Sequence, residues 1–170
     1  GCTREPLGQL RERKCKGREF LTTDRRDAQA RPRGTPGYDG RTLLVPQQYM
    51  SELTPTMQQF WRVKSSHADC VVFFKLGKFY ELFDEDSDVG ARVCGLKQRE
   101  GKKSGFPERS FAQYGVRLVA EGYRVAVVEQ VRTANASAKA AMERRVVAIL
   151  SPGTLLEPEL QQLAEPGAPS

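Results

Sequence analysis

The chain has 170 residues, with 27 Lys+Arg against 21 Asp+Glu, a formal net charge of +6, and 28% charged and 39% hydrophobic residues. That length and mix specify roughly one globular domain with a modest core. They exclude collagen, a coiled-coil rod and a disulfide scaffold, and no apolar run approaches the roughly 18–20 residues of a membrane span. The charge is uneven: residues 1–41 hold 11 Lys/Arg and 6 Asp/Glu, whereas residues 42–170 hold 16 and 15. A basic arm on a nearly neutral domain favours polyanions, nucleic acid first; a solvated linker is the plain alternative. Cys2, Cys15, Cys70 and Cys94 form no C-x-x-C, and His67 is the single histidine. Zinc patterns are therefore excluded and reduced thiols expected. The chain starts at Gly1, not Met, and reads as a fragment.

Residues 1–40 have few apolar side chains and no period, with Arg, Pro and Gly densest over Arg31–Gly37. They read as a disordered basic arm, and Glu5, Glu12, Glu19, Asp24 and Asp27 argue against a transit peptide. Order is expected from Tyr38–Val45. Thr54-Pro55 is a helix start, with Thr as N-cap and Pro at the first helical position. Met57, Phe60, Trp61 and Lys64 follow as a stripe at i, i+3, i+4 and i+7, to about Ser66. Cys70–Leu76 is a solid apolar run that suits a strand covered on both faces. Gly77 breaks it, and Phe79–Phe83 resumes an extended pattern. Asp84, Glu85, Asp86 and Asp88, with Val89 and Val93 behind them, read as a solvated helix N-terminus rather than a metal site.

Residues 97–105 form a basic, Gly-punctuated loop. Ser110 to Gly122 bounds a helix with the stripe Phe111, Tyr114, Leu118 and Val119. Tyr123–Val131 is β-branched and strand-like, Ala134–Glu143 is Ala-rich and helix-like, and Val146–Leu150 is a strand ended by Ser151-Pro152-Gly153. Residues 157–170 read as a linker or the start of a connector. Strands alternating with helices specify an α/β domain, one sheet flanked by helices. The expected core holds Phe73, Phe74, Tyr80, Leu82, Phe106, Tyr114, Leu118, Val125, Val127, Val147 and Ile149.

No phosphate-binding G-x-x-x-x-G-K-[ST], G-x-G-x-x-G or G-x-S-x-G is present. One histidine leaves little for a nucleophile–base pair. Asp84–Asp88 supplies carboxylates but no Glu-x-Lys partner for a nuclease site. The most specific feature is Lys75-Leu76-Gly77-Lys78-Phe79-Tyr80-Glu81-Leu82-Phe83. Strand alternation sends Phe79, Glu81 and Phe83 one way and Tyr80 and Leu82 the other. An aromatic ring and a carboxylate thus share a face beside two lysines. A buried carboxylate needs partners, and in a basic groove it weakens phosphate binding unless it reads a base. A half-buried strand with one exposed Glu accommodates the same pattern.

Several blocks together resemble the N-terminal mismatch-recognition domain of the MutS family. They are Thr54–Trp61, Val72–Phe83, Ser104-Gly105-Phe106-Pro107-Glu108, Gly122–Gln130 and Glu143–Thr154, in the family's order and covering about residues 41–156. Arg41–Pro46, Ser104–Glu108 and Gly77-Lys78 are most similar to the subtype of the sixth eukaryotic MutS homologue. The segment after Gln130 is shorter than in that subtype and closer to the bacterial form, which keeps a bacterial-type organellar member open.

The resemblance implies a single mixed β-sheet flanked by helices, with Phe79 as a wedge stacking on a mispaired base and Glu81 hydrogen-bonding to that base. Leu76, Lys78, Lys102 and Lys103 are candidate backbone contacts, and Arg99 is a further one. It also implies double-stranded DNA with mismatches or small loops as the partner, a second MutS-homologue subunit, a nuclear location and no membrane. No catalytic residue, metal or cofactor is expected in this chain. ATP and Mg2+ belong to the ATPase region of a longer parent, a DNA-dependent ATPase. The alternatives are a truncated interaction or general DNA-binding module without mismatch selectivity and, last, a nuclease dependent on Asp84 or Asp86.

Overall fold

A computed structural model describes residues 17–131 and 142–153. Strand β1 (Cys70–Leu76) is followed by β2 (Phe79–Phe83), β3 (Lys103–Pro107), β4 (Arg124–Val131) and β5 (Glu143–Leu150). They form one mixed sheet in the order β3-β2-β1-β4-β5. The β1–β2, β2–β3 and β4–β5 pairs are antiparallel, and β1–β4 is parallel, with Cys70 opposite Arg124 and Phe74 opposite Val128. The parallel pair needs a long crossover, and the chain between supplies two strands and two helices. The α/β, single-sheet expectation holds.

Helices α1 (Gln47–Ser51) and α2 (Pro55–Ser66) cover one face, and α3 (Glu85–Cys94) and α4 (Phe111–Ala120) the other. Alternation in β1 splits its side chains between them. Cys70, Val72 and Phe74 pack with Phe60, Trp61 and Phe83 beneath α2. Val71 and Phe73 pack with Leu82, Phe106 and Leu118 beneath α3 and α4. This double burial is why Cys70–Phe74 of the strand reads as a continuous apolar run. Helix α2 starts as its sequence dictates: the Thr54 side chain accepts from the Met57 N–H at 3.3 Å, and Pro55 occupies the first turn.

Four expectations need correction. Residues 17–40 do not continue as an unstructured arm. A turn at Glu19–Leu21 buries Phe20, whose ring meets Trp61 edge-on at 5.5 Å. Asp27 is buried and accepts from the N–H groups of Gln29, Arg31 and Asp39 at 2.9–3.0 Å and from Arg31 Nε at 2.7 Å. One carboxylate and one aromatic anchor order this strap, so it shows no apolar period. Residues 1–16 lie outside the described residues.

Second, two of the acids opening α3, Asp84 and Asp86, are buried rather than solvated. Asp86 is buried, accepting from Lys64 Nζ at 2.8 Å and from the Val72 N–H at 3.1 Å. Glu85 pairs with Arg25 at 2.9 Å and Lys64 at 3.3 Å, and Asp84 contacts Arg18. Their charge is met by the strap and by α2, both distant in sequence. Third, part of the basic loop is strand β3, held by pairing with β2 rather than by its own propensity. Fourth, Val147 is 57% exposed, because a bulge at Val127/Val128 leaves it outside the pairing of the edge strand β5.

Tyr114 and Ile149 are only partly buried, packed against the two cores. The helix expected over 134–143 falls on residues outside the described ones, except Met142 and Glu143, where β5 begins. Residues 157–170 also lie outside them. No described helix is long and apolar enough to cross a membrane.

Candidate nucleic-acid interface

Gly77 and Lys78 alone join β1 to β2, with Leu76 opposite Phe79. Gly77 has φ +62° at the first position of this two-residue hairpin, a backbone state that glycine adopts at no steric cost. The turn sets the phase of β2. Tyr80 and Leu82 enter the core under α3 and α4, and Phe83 enters the core under α2, its ring 4.8 Å from Phe60. Phe79 and Glu81 lie on the same face as Phe83, but the helical cover stops short of them. Phe79 is 47% exposed at the end of a strand whose other aromatic residues are buried.

Glu81 sits opposite Phe74 on β1 and Gly105 on β3. Together Phe79, Glu81, Gly105, Lys97 and Arg99 line a concavity of about 220 Å³. The Glu81 carboxylate accepts from Arg99 Nη2. Burial pushes its carboxyl above the ordinary glutamate value, although Arg99 and Lys103 act against that rise. The corner therefore offers a half-exposed aromatic face, a carboxyl raised by burial and paired with Arg99, and a basic rim.

On the opposite face a charged knot ties the hairpin down. Lys75 is buried, 2.6 Å from Glu108 and 3.6 Å from Glu129, with its ammonium 4.5 Å above the Tyr80 ring. The Tyr80 hydroxyl donates to Glu129, and burial with that carboxylate raises its pKa. The Glu108 N–H donates to the Lys78 carbonyl at 2.9 Å. Lys75 thus supports the strand that carries Phe79.

Of the candidate backbone contacts, Leu76 packs into the core beside Phe79, and Lys78 is exposed at the turn. Lys102 pairs with Asp88 of α3 at 3.2 Å and does not line the concavity. Lys103 is exposed and lies opposite Phe83, on the face that carries Glu81. Lys97 and the seat that Gly105 makes for Glu81 were not foreseen. The signal was the Gly between two strand-compatible residues in Ser104-Gly105-Phe106, which marks a close approach by a neighbour. The buried pairing of Lys75 was equally hidden, because its partners are distant in sequence.

A mixed five-stranded sheet with an exposed aromatic and a half-buried carboxylate at one corner coincides with a known domain type: residues 54–159 match the family model for MutS domain I. The chain belongs to the MutS family, as an N-terminal module of that kind. It is 41% identical over 152 residues to DNA mismatch repair protein MSH6 of Arabidopsis thaliana, covering 83% of this chain and 12% of that protein. Identity is 42% over 111 residues to DNA mismatch repair protein Msh6 of Homo sapiens, covering 64% of this chain and 8% of that protein. It is 38% over 117 residues to DNA mismatch repair protein MutS of Acetivibrio thermocellus, covering 64% and 13%. The chain spans between 8% and 13% of the length of these relatives.

Proposed function

We propose that this chain reads mismatches in double-stranded DNA for a MutS-type repair ATPase, of the subtype of the sixth eukaryotic homologue. Phe79 enters from the minor groove and stacks on a mispaired base, while Glu81 hydrogen-bonds to that base. The observation that carries this reading is Phe79 itself, an aromatic ring left half exposed beside an ionisable carboxyl. Inserting an apolar side chain at a base step unstacks and kinks the duplex. Unstacking costs a few kcal/mol and least at a mismatch, whereas a base–aromatic stack returns about 1–3 kcal/mol for any base. Discrimination then follows duplex deformability. The MSH6 matches at 36–45% identity, beside bacterial MutS matches at 38–41%, are what the eukaryotic subtype, a nuclear setting and a second MutS homologue as partner subunit rest on. ATP and Mg2+ are assigned to regions of the longer parent.

The test is fluorescence anisotropy of labelled matched and single-mismatch duplexes with the wild-type chain and Phe79→Ala. The variant is expected to lose the preference for mismatched duplex while keeping salt-sensitive binding. Full retention of the preference overturns the wedge. Equal binding of both duplexes by the wild type returns the alternative of a general DNA-binding module.

A further inference from the structure

We infer that Arg99 is a latch on Glu81: it neutralises the carboxylate while the domain rests on matched duplex and releases it to a displaced base at a mismatch. This rests on the mismatch-reading role proposed above and assigns Arg99 as a specificity-determining residue within that site.

The pair is asymmetric. The Glu81 side chain is 14% exposed and the Arg99 side chain 59% exposed. The guanidinium lies outermost and is the first of the two groups that an approaching phosphate meets. Its departure costs it little desolvation, because it is already in water. Glu81, left behind, is a half-buried carboxylate without its guanidinium partner in the field of the DNA phosphates, and that state is unfavourable. The exchange of carboxylate for phosphate becomes favourable when another donor reaches Glu81, and an unpaired base edge supplies one. The guanidinium fork suits both of its partners, carboxylate and phosphate.

The backbone is built for a side-chain swing. Arg99 and Lys103 bridge across three residues, with Arg99 N–H to the Lys103 carbonyl at 2.6 Å and the reverse bond at 3.4 Å. Gly101 and Lys102 close that turn at φ +81° and +53°. Lys102 is moored to Asp88. The main chain of the latch is thereby anchored to β3 and α3, and the exposed arginine side chain is the part left to move. The other cations near Glu81 are Lys103 on β3 and Lys97 on the rim.

The test uses the chain as it stands, at fixed low salt, with matched and single-mismatch duplexes. Arg99→Gln is expected to weaken matched-duplex binding about three- to tenfold, through the bare carboxylate, and mismatched binding by less. Adding Glu81→Gln to Arg99→Gln is expected to restore matched binding, because no carboxylate remains to be repelled. Equal weakening on both duplexes that the double variant does not relieve makes Arg99 a plain phosphate contact and overturns the latch. So does an Arg99→Gln variant with unchanged binding. The free-state half is read without DNA: the guanidinium NMR signals of Arg99 are expected to show hindered rotation in the wild type and free averaging in Glu81→Gln. Free averaging in the wild type overturns the latch. The matched-duplex arm contains no mismatch, so a wild type without mismatch preference sinks the wedge reading and leaves the latch result legible.

Discussion

The carboxylate of Glu81 lies directly over Gly105, its cross-strand neighbour. A Cβ at position 105 would sit 2.9 Å from both Cδ and Oε2 of Glu81 and 3.0 Å from the Tyr80 carbonyl oxygen. The glycine is therefore the floor on which the acid rests. Gly105→Ala is expected to push the carboxylate out of its seat and cut mismatch preference several-fold, at a stability cost of about 1–3 kcal/mol from overpacking. Paired binding and urea-melt measurements check this. An unchanged preference in a folded variant would show that the seat is dispensable.

Phe79 and Phe83 share one strand and one face, yet their burial differs: 47% exposed against 5%. Phe83→Ala is expected to cost about 3–5 kcal/mol, the usual penalty for truncating a buried Phe. Phe79→Ala is expected to stay within about 0.5 kcal/mol of wild type. Urea unfolding followed by the fluorescence of Trp61, the single tryptophan, reads both. A large loss for Phe79→Ala would make that ring part of the core.

Lys64 and Asp86 form an ion pair inside the molecule, with both side chains 3% exposed. Burial pushes the Asp86 carboxyl up to about 6 against the pull of Lys64. Removing Asp86 leaves the buried Lys64 with Glu85 at 3.3 Å as its counterion and takes the acceptor from the Val72 N–H, so Asp86→Ala is expected to cost about 3–5 kcal/mol. The double replacement Lys64→Met with Asp86→Leu is expected to recover part of that loss, since an apolar pair of similar volume needs no counterion, while the Val72 N–H and the Cys70 carbonyl still lose their partners. A double-mutant cycle on urea midpoints checks the coupling, and additive losses would rule it out.

Asp27 holds the strap together through its ionised form. Burial opposes ionisation, but hydrogen bonds from Asp39, Arg31 and Gln29 outweigh it and hold the carboxyl down at about 2. Its folded value lies below the ordinary 3.8. The stabilisation is therefore complete above that ordinary value and is lost as the pH falls towards about 2. Asp27→Asn is expected to flatten the acid limb of the stability–pH curve over that window. Trp61 fluorescence reports it, because Phe20 of the strap packs on that indole. An acid limb identical to wild type would remove Asp27 as its source.

What was legible in the sequence was whatever is encoded within a few residues. Thr54-Pro55 announced α2, and the run Cys70–Leu76 announced a strand buried on two faces. The alternation in Phe79–Phe83 put Phe79 and Glu81 on one face before any fold was known. What stayed hidden depends on partners remote in the chain. Lys64 read only as the last residue of a stripe because its partner Asp86 lies 22 residues on. Strand β3, with Lys103, Gly105 and Pro107, carries no strand signature and exists because β2 offers it a ladder. The strap from residue 17 lacks a period because hydrogen bonds to one carboxylate shape it. At the site, the ring and the acid were readable, whereas Arg99 was one basic residue among several until the hairpin at 99–103 brought it to Glu81.

The hairpin at Gly77-Lys78 fixes the position of Phe79 against β1 within two residues, and β1 and β2 both lie inward of β5 in the sheet order. The link from Val131 to Met142 joins β4 to β5, and β1 stands between that pair and β2. The Leu76–Phe79 register is set inside the hairpin itself, with β1 between it and that link. The position of Phe79 thus depends on a two-residue hairpin and not on the length of the link between β4 and β5.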